Sequence, residues 1–254
     1  MEEQPVVQSP QEEPAAMSFS DKLMNVVSSP GTLFDHVAKT GKTPSNWSIP
    51  LIFLVIVSIV FTLVVFTQPP IKEQMKEQQL KAMEKRVQEK KMTREEYDRA
   101  LEFMPEPGAP IWLIFGAVGV SLVMVLTLFI SALVFWLVGK YLFKVPVTYG
   151  KVSEVVGLSM YIMAIGSIVS MIFIIATGSL YSGPSLALAV PNFDPLNKMH
   201  KFLLSFNLLT FWYLGVLAVG IGKLFNTSYL KSLITVAVIW LLYEGLTTLI
   251  GLGM

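Results

Sequence analysis

The 254-residue sequence contains no cysteine, and that single absence removes several classes of function at once. Disulfides, Cys-ligated metals, thiolate nucleophiles and cysteine lipidation are all excluded. Histidine is nearly as scarce, and the only two, His36 and His200, lie outside the apolar runs. There is no HExxH, no glycine-rich phosphate loop and no GxSxG, so metal, nucleotide and nucleophilic chemistry have no constellation to work from and no cofactor is expected. The net charge of +1 leaves no basic excess to neutralise phosphates, which argues against a nucleic-acid partner. Intramembrane hydrolysis would need paired carboxylates, or a serine with a base, inside the apolar runs; those runs hold one deep carboxylate, and an enzyme is not expected.

Apolar sequence is what the chain has in abundance. Hydrophobic residues make up 53% against 15% charged, the mean hydropathy is +0.60, and the apolar residues come in long blocks. Five runs, at 49–67, 111–138, 155–177, 202–221 and 233–250, approach or exceed the ~20 residues that a helix needs to cross roughly 30 Å of hydrocarbon. The expected fold is therefore all-α: a polytopic membrane protein with five transmembrane helices and an extramembrane helical hairpin, with the lipid bilayer as its first partner. The last two runs, joined by NTSYLKS, read as a transmembrane hairpin. The first 20 residues lack a basic region and an apolar core, so the first span is expected to act as an uncleaved signal anchor.

Residues 1–16 combine four glutamates with three prolines and read as a disordered acidic tail. From 17 to 48 the pattern changes to two short amphipathic helices, Phe19, Leu23, Val26 and Val27 forming one apolar face and Leu33, Phe34 and Val37 the other. Ser29 and Pro30 mark the second start. This lead-in is expected to lie in the membrane interface with Trp47 as an anchor. Pro50 is expected to open the first span, where a missing N–H is tolerated.

The segment 70–104 is the one sizeable polar part, with nine basic and eight acidic side chains in a helix-favouring composition. Thr93 followed by Glu96 reads as a capping box that divides it into two helices. The stripes Met75, Leu80, Met83, Val87 and Tyr97, Leu101, Met104 would close them as an antiparallel hairpin. Its charges form a solvated face, with partner docking as the second reading, here or on the lead-in. The stretch 178–201 carries too much glycine and proline to span, and is expected to skim or re-enter the interface.

Glu244 stands 11 residues beyond Leu233 and so roughly 16 Å into the membrane if that span starts at Leu233. An intramembrane carboxyl is a functional candidate by default. In an antiparallel partner helix counted from Phe202, Asn207 and Thr210 reach about 8 and 12 Å depth, which makes them the nearest candidate partners. Either the three form interhelical polar glue, or Glu244 is a proton, cation or substrate site, or it faces an oligomer interface or the water boundary. Orientation is read from basic residues. With the N-terminus inside, eight lysines face the cytoplasm against eleven basic residues opposite, nine of those in the hairpin.

The lead-in FSDKLMNVVSSPGTLFDHV, the charged TREEYDRALEFM and, above all, FNLLTFWYLGVLAVGIGKLFNTSYLKSLITVAVIW resemble the bacterial branch of the Yip family of Ypt/Rab-interacting membrane proteins. The resemblance covers the chain from about Phe19 onward. It implies five helices in the inner membrane, a cytoplasmic N-terminus and a non-enzymatic scaffold or adaptor role in membrane organisation or trafficking. The alternative is a small transporter or proton-coupled permease built on Glu244. Five unequal spans show no inverted repeat, although a homo-oligomer could supply the missing symmetry.

Overall fold

The computed structural model describes residues 17–191 and 193–250; the acidic tail expected over 1–16 lies outside the described residues. Helix α1, Phe19–Ser28, is nucleated by a reciprocal capping box in which the Ser18 hydroxyl accepts the Asp21 N–H at 3.2 Å and the Asp21 carboxylate accepts the Ser18 N–H at 3.1 Å. Helix α2, Pro30–Lys39, starts on proline after Ser29, whose hydroxyl makes no capping bond. Val26, Leu33, Phe34 and Val37 are completely buried. The apolar face of α2 is thus turned onto the protein, whereas on α1 Val26 is buried and Phe19 and Val27 stay 44% and 43% exposed; each fully buried side chain contributes roughly 1.5–3 kcal/mol by leaving water.

Helix α3, Ser45–Val65, begins five residues before the proline expected to open it. Pro50 therefore sits inside the helix and leaves the Asn46 carbonyl without its usual i+4 donor. Helix α7, Tyr149–Thr177, is the centre of the bundle, and every residue over 152–162 is buried. The contacts fix how its neighbours run. Trp47 meets Gly157, and Phe53 meets Tyr161 at 5.9 Å, so α3 lies parallel to α7. Helix α6, Pro110–Tyr141, is antiparallel to both, with Trp47 against Phe129 and Trp136 against Tyr149. Helix α9, Leu208–Leu224, is antiparallel to α7, with Leu209 near Gly166 and Gly220 near Val155.

Two glycines permit this packing. A Cβ on Gly157 would lie 2.4 Å from the Trp47 Cα, and one on Gly220 would lie 2.5 Å from Val155 and 3.1 Å from the Phe34 ring. Backbone and ring occupy the space a side chain would need.

At the opposite end from the lead-in, α4, Pro69–Gln88, and α5, Arg94–Glu102, form the charged segment. The Thr93 hydroxyl accepts the Glu96 N–H at 3.2 Å and the Glu96 carboxylate accepts the Thr93 N–H at 2.7 Å, the capping box read in the sequence. Ile71 and Met75 of α4 pack with Val65 and Ile174, and the Gln74 side-chain Oε1 accepts the Leu180 N–H at 2.9 Å, so the root of the hairpin is tied to α3, α7 and the following loop.

Among the described residues four helices, α3, α6, α7 and α10 (Tyr229–Ile250), are long and apolar enough to cross a membrane. The fourth expected span, 202–221, is not one continuous helix. Helix α8, Lys198–Ser205, stops, and α9 restarts after Phe206 and Asn207 as a 17-residue helix. Two competing sets of bonds break the run. The Asn207 side chain accepts the Leu209 N–H at 2.8 Å. The 184–186 segment takes the backbone groups on either side: Leu208 N–H donates to Pro184 at 2.9 Å and Leu186 N–H donates to Phe206 at 3.1 Å.

Candidate functional site

The most strongly built polar cluster lies where the lead-in meets α7. Lys151 and Glu154 are one turn apart near the start of α7, with side chains 13% and 2% exposed and 3.1 Å between Nζ and Oε2. The Lys151 ammonium also donates to the Val37 and Gly41 carbonyls, each at 2.8 Å. The Glu154 carboxylate accepts the Thr43 N–H on Oε1 at 2.9 Å and the Asn46 side-chain amide on Oε2 at 2.8 Å. The pair therefore fills the turn between α2 and α3. Its cation faces the carbonyl end of α2 and its anion the N–H end of α3, the arrangement that the two helix dipoles favour.

Burying a charge is unfavourable unless it is paired and hydrogen-bonded, and both charges here meet that condition, each with three partners. One acceptor is left over: Asn46 is 3% exposed and its Oδ1 has no partner among the described residues. A second, outer link joins the same elements, with Lys223 of α9 lying 3.5 Å from Asp35 of α2. Lys39, and then Lys223, hold the Asp35 carboxyl below its usual range. Both sides of this link are about half exposed, so it adds little to stability.

All three Lys151 donors are taken up by the protein and both Glu154 oxygens accept protein donors, so the pair ties the α2–α3 turn to α7. Among the described residues no cluster of three or more His, Asp or Glu could hold a metal ion.

The structure separates Glu244 from its expected partners. Asn207 caps α9, and Thr210 lies one turn into that helix; no hydrogen bond joins either to Glu244 among the described residues. The polar groups that approach the half-buried Glu244 carboxyl are the Ser205 hydroxyl at the end of α8 and the Trp240 indole one turn back on α10. Ser205 spends its own hydroxyl proton on the Phe202 carbonyl at 2.8 Å. Phe206 and Phe211 pack edge-on to Trp240 at 5.1 and 5.8 Å and form the apolar wall of this pocket.

Depth differs too. Helix α10 starts at Tyr229 rather than Leu233, and Lys198 donates to the Leu249 carbonyl at 2.9 Å. Glu244 lies only about 7–8 Å from that lysine-bound carbonyl along the helix. It lies in the C-terminal half of α10, toward the hairpin end.

Reading hydropathy run by run passed over Glu154, because KVSE precedes the third run and looks like part of a turn. The signal was present in the sequence: Lys151 and Glu154 at i,i+3 lead directly into VVGLSMYI, which has no polar face to keep a carboxylate in water.

A family model described as the Yip1 domain matches residues 24–252, a range that takes in most of α1, the clasp, the hairpin and α10. No curated protein and no solved structure gives a significant match.

Proposed function

The chain belongs to the Yip1-domain family, and from that premise we propose that it is a non-enzymatic scaffold or adaptor of the bacterial inner membrane, acting in membrane organisation or trafficking. The observation that carries the reading is the Lys151–Glu154 clasp. It holds the lead-in as a rigid polar platform at one end of the bundle, while the charged hairpin stands at the other, and an adaptor needs such fixed docking surfaces. Helix α9 is the fifth span in this reading: at about 26 Å it is near the lower limit for crossing, and its antiparallel packing on α7 keeps the chain alternating. The N-terminus is then cytoplasmic and the hairpin lies outside.

The rival reading, a proton-coupled permease, draws on the helix break beside Glu244, a feature shared with transporter sites. Two experiments separate these proposals. Because the chain has no cysteine, Lys42→Cys, Lys91→Cys and Thr227→Cys can each be probed with an impermeant maleimide in intact cells. Labelling of Lys91→Cys alone supports five spans with the N-terminus inside, whereas labelling of Thr227→Cys together with Lys91→Cys removes α9 as a span. In proteoliposomes carrying a pH dye, the scaffold leaves an imposed proton gradient intact; a leak abolished by Glu244→Gln replaces the scaffold with the permease.

A further inference from the structure

We propose that the cleft between α4 and the start of α6 binds one anionic phospholipid, its phosphate on Arg86 and an acyl chain running past Trp112. The cleft has a volume of about 280 Å³, with Ala82 and Met83 of α4 on one wall and Met104, Pro105 and Trp112 on the other. Two polar side chains, Arg86 and Gln79, line it. Arg86 makes no ion pair among the described residues, although Glu96 lies within electrostatic range. Gln79 Oε1 is buried without a hydrogen-bond partner among the described residues. A guanidinium and an unpaired carbonyl acceptor lining one cleft suit a headgroup that carries both a phosphate and a hydroxyl or ammonium donor.

Depth makes the occupant an amphiphile. Trp112 stands in the first turn of α6, where an indole at the headgroup level is favoured, and it packs on Phe66 at the end of α3 with 5.3 Å between ring centroids. Phe103, next to the cleft residue Met104, is 80% exposed. One turn past Trp112, Phe115 is 70% exposed on α6. These bare rings, each close in sequence to a cleft residue, add apolar surface to that of Met83, Met104 and Trp112. A soluble anion would use Arg86 and none of that surface, whereas a phospholipid uses both.

The inference needs only that α6 enters the bilayer at Trp112, so it stands or falls separately from the scaffold reading. Its test uses the full-length protein in detergent with phosphatidylglycerol or phosphatidylcholine brominated on the acyl chains, the Trp112 signal being the difference between wild type and Trp112→Phe. Wild type should be quenched at about fivefold lower phosphatidylglycerol than phosphatidylcholine, the preference expected of one cation at a membrane surface. Arg86→Gln, an exposed change that leaves the core intact, should bring the two lipids level, and Ala82→Phe should remove quenching by both. Three results overturn the proposal: an unaltered preference in Arg86→Gln, undiminished quenching in Ala82→Phe, or no preference in wild type. Inorganic phosphate that saturates Arg86 without any lipid quenching would leave an anion site and no lipid site.

Discussion

Glu154 and Asn46 are 108 positions apart in the chain and 2.8 Å apart in space, and this bond lies at the junction of the lead-in, α3 and α7. Neither residue makes sense alone. Asn46 lies in the first turn of a helix whose next residue, Trp47, presses on Gly157, and the buried Glu154 carboxyl takes two of its hydrogen-bond donors from the α2–α3 junction.

Removing one partner of the clasp should therefore be far worse than removing both charges. Glu154→Leu leaves Lys151 buried and unpaired and should lower stability by about 3–5 kcal/mol, while Lys151→Met with Glu154→Leu should recover part of that loss. Glu154→Gln should be milder than Glu154→Leu, since a flipped Asn46 amide can offer its vacant Oδ1 to the new donor. Unfolding of these three variants and of Lys151→Met in mixed micelles measures all four; strictly additive losses of the two single variants in the double would show that the two charges do not act as a unit.

Helix packing makes a contrast between two glycines. Gly157→Ala puts a methyl 2.4 Å from the Trp47 backbone, which cannot rotate away, and should lower stability by about 1–3 kcal/mol. Gly119→Ala on α6 meets nothing within 4 Å and should be neutral or stabilising by up to about 1 kcal/mol. Thermal melts of the two variants in one detergent check this, and equal losses would count against close α3–α7 contact.

Acid sensitivity should come in part from Asp35. Its carboxyl is held below the ordinary value of 3.8 by Lys39 and Lys223, so the folded state binds a proton less readily than the unfolded chain. The resulting stability is present above that value and disappears as the pH falls through the lower folded one. Asp35→Asn should flatten the acid limb of a stability–pH profile below about pH 3.8 and leave the neutral region almost unchanged. A neutral-region loss larger than the acid-limb change would point to packing instead.

At Glu244 the expected behaviour is that of a hydrogen-bonding group. Glu244→Gln should match wild type, and Glu244→Leu should lose about 0.6–2 kcal/mol, the range for a polar contact between membrane helices. Ser205→Ala should add nothing further in the Leu background if Ser205 is the partner. Full additivity in that double-mutant cycle would assign the effect to another group.

Much of the architecture was legible because it follows from local chemistry. Long apolar runs mark α3, α6, α7 and α10; Pro30 marks the start of α2, and Thr93 with Glu96 marks that of α5. These features depend on residues close in sequence, so a window of sequence contains their cause. The break at Asn207 did not yield to that reading. FLLSFNLLTFWYL is uniformly apolar around one asparagine, and it takes the backbone of 184–186 to stop the helix there. The partners of Glu244 shifted with it, from Asn207 and Thr210 to Ser205 and Trp240.

By itself the sequence determined that this is a helical chain with several apolar helices able to span a membrane, a charged helical segment between two of them and no cysteine chemistry, since composition and periodicity are properties of the chain alone. Tertiary structure decided which carboxylate is buried, where the fourth apolar run breaks, and that the lead-in packs on α7 and α9. The physical reason is common to all three: the burial of a charge, and the fate of a backbone hydrogen bond, depend on groups a hundred residues away that only folding brings within reach.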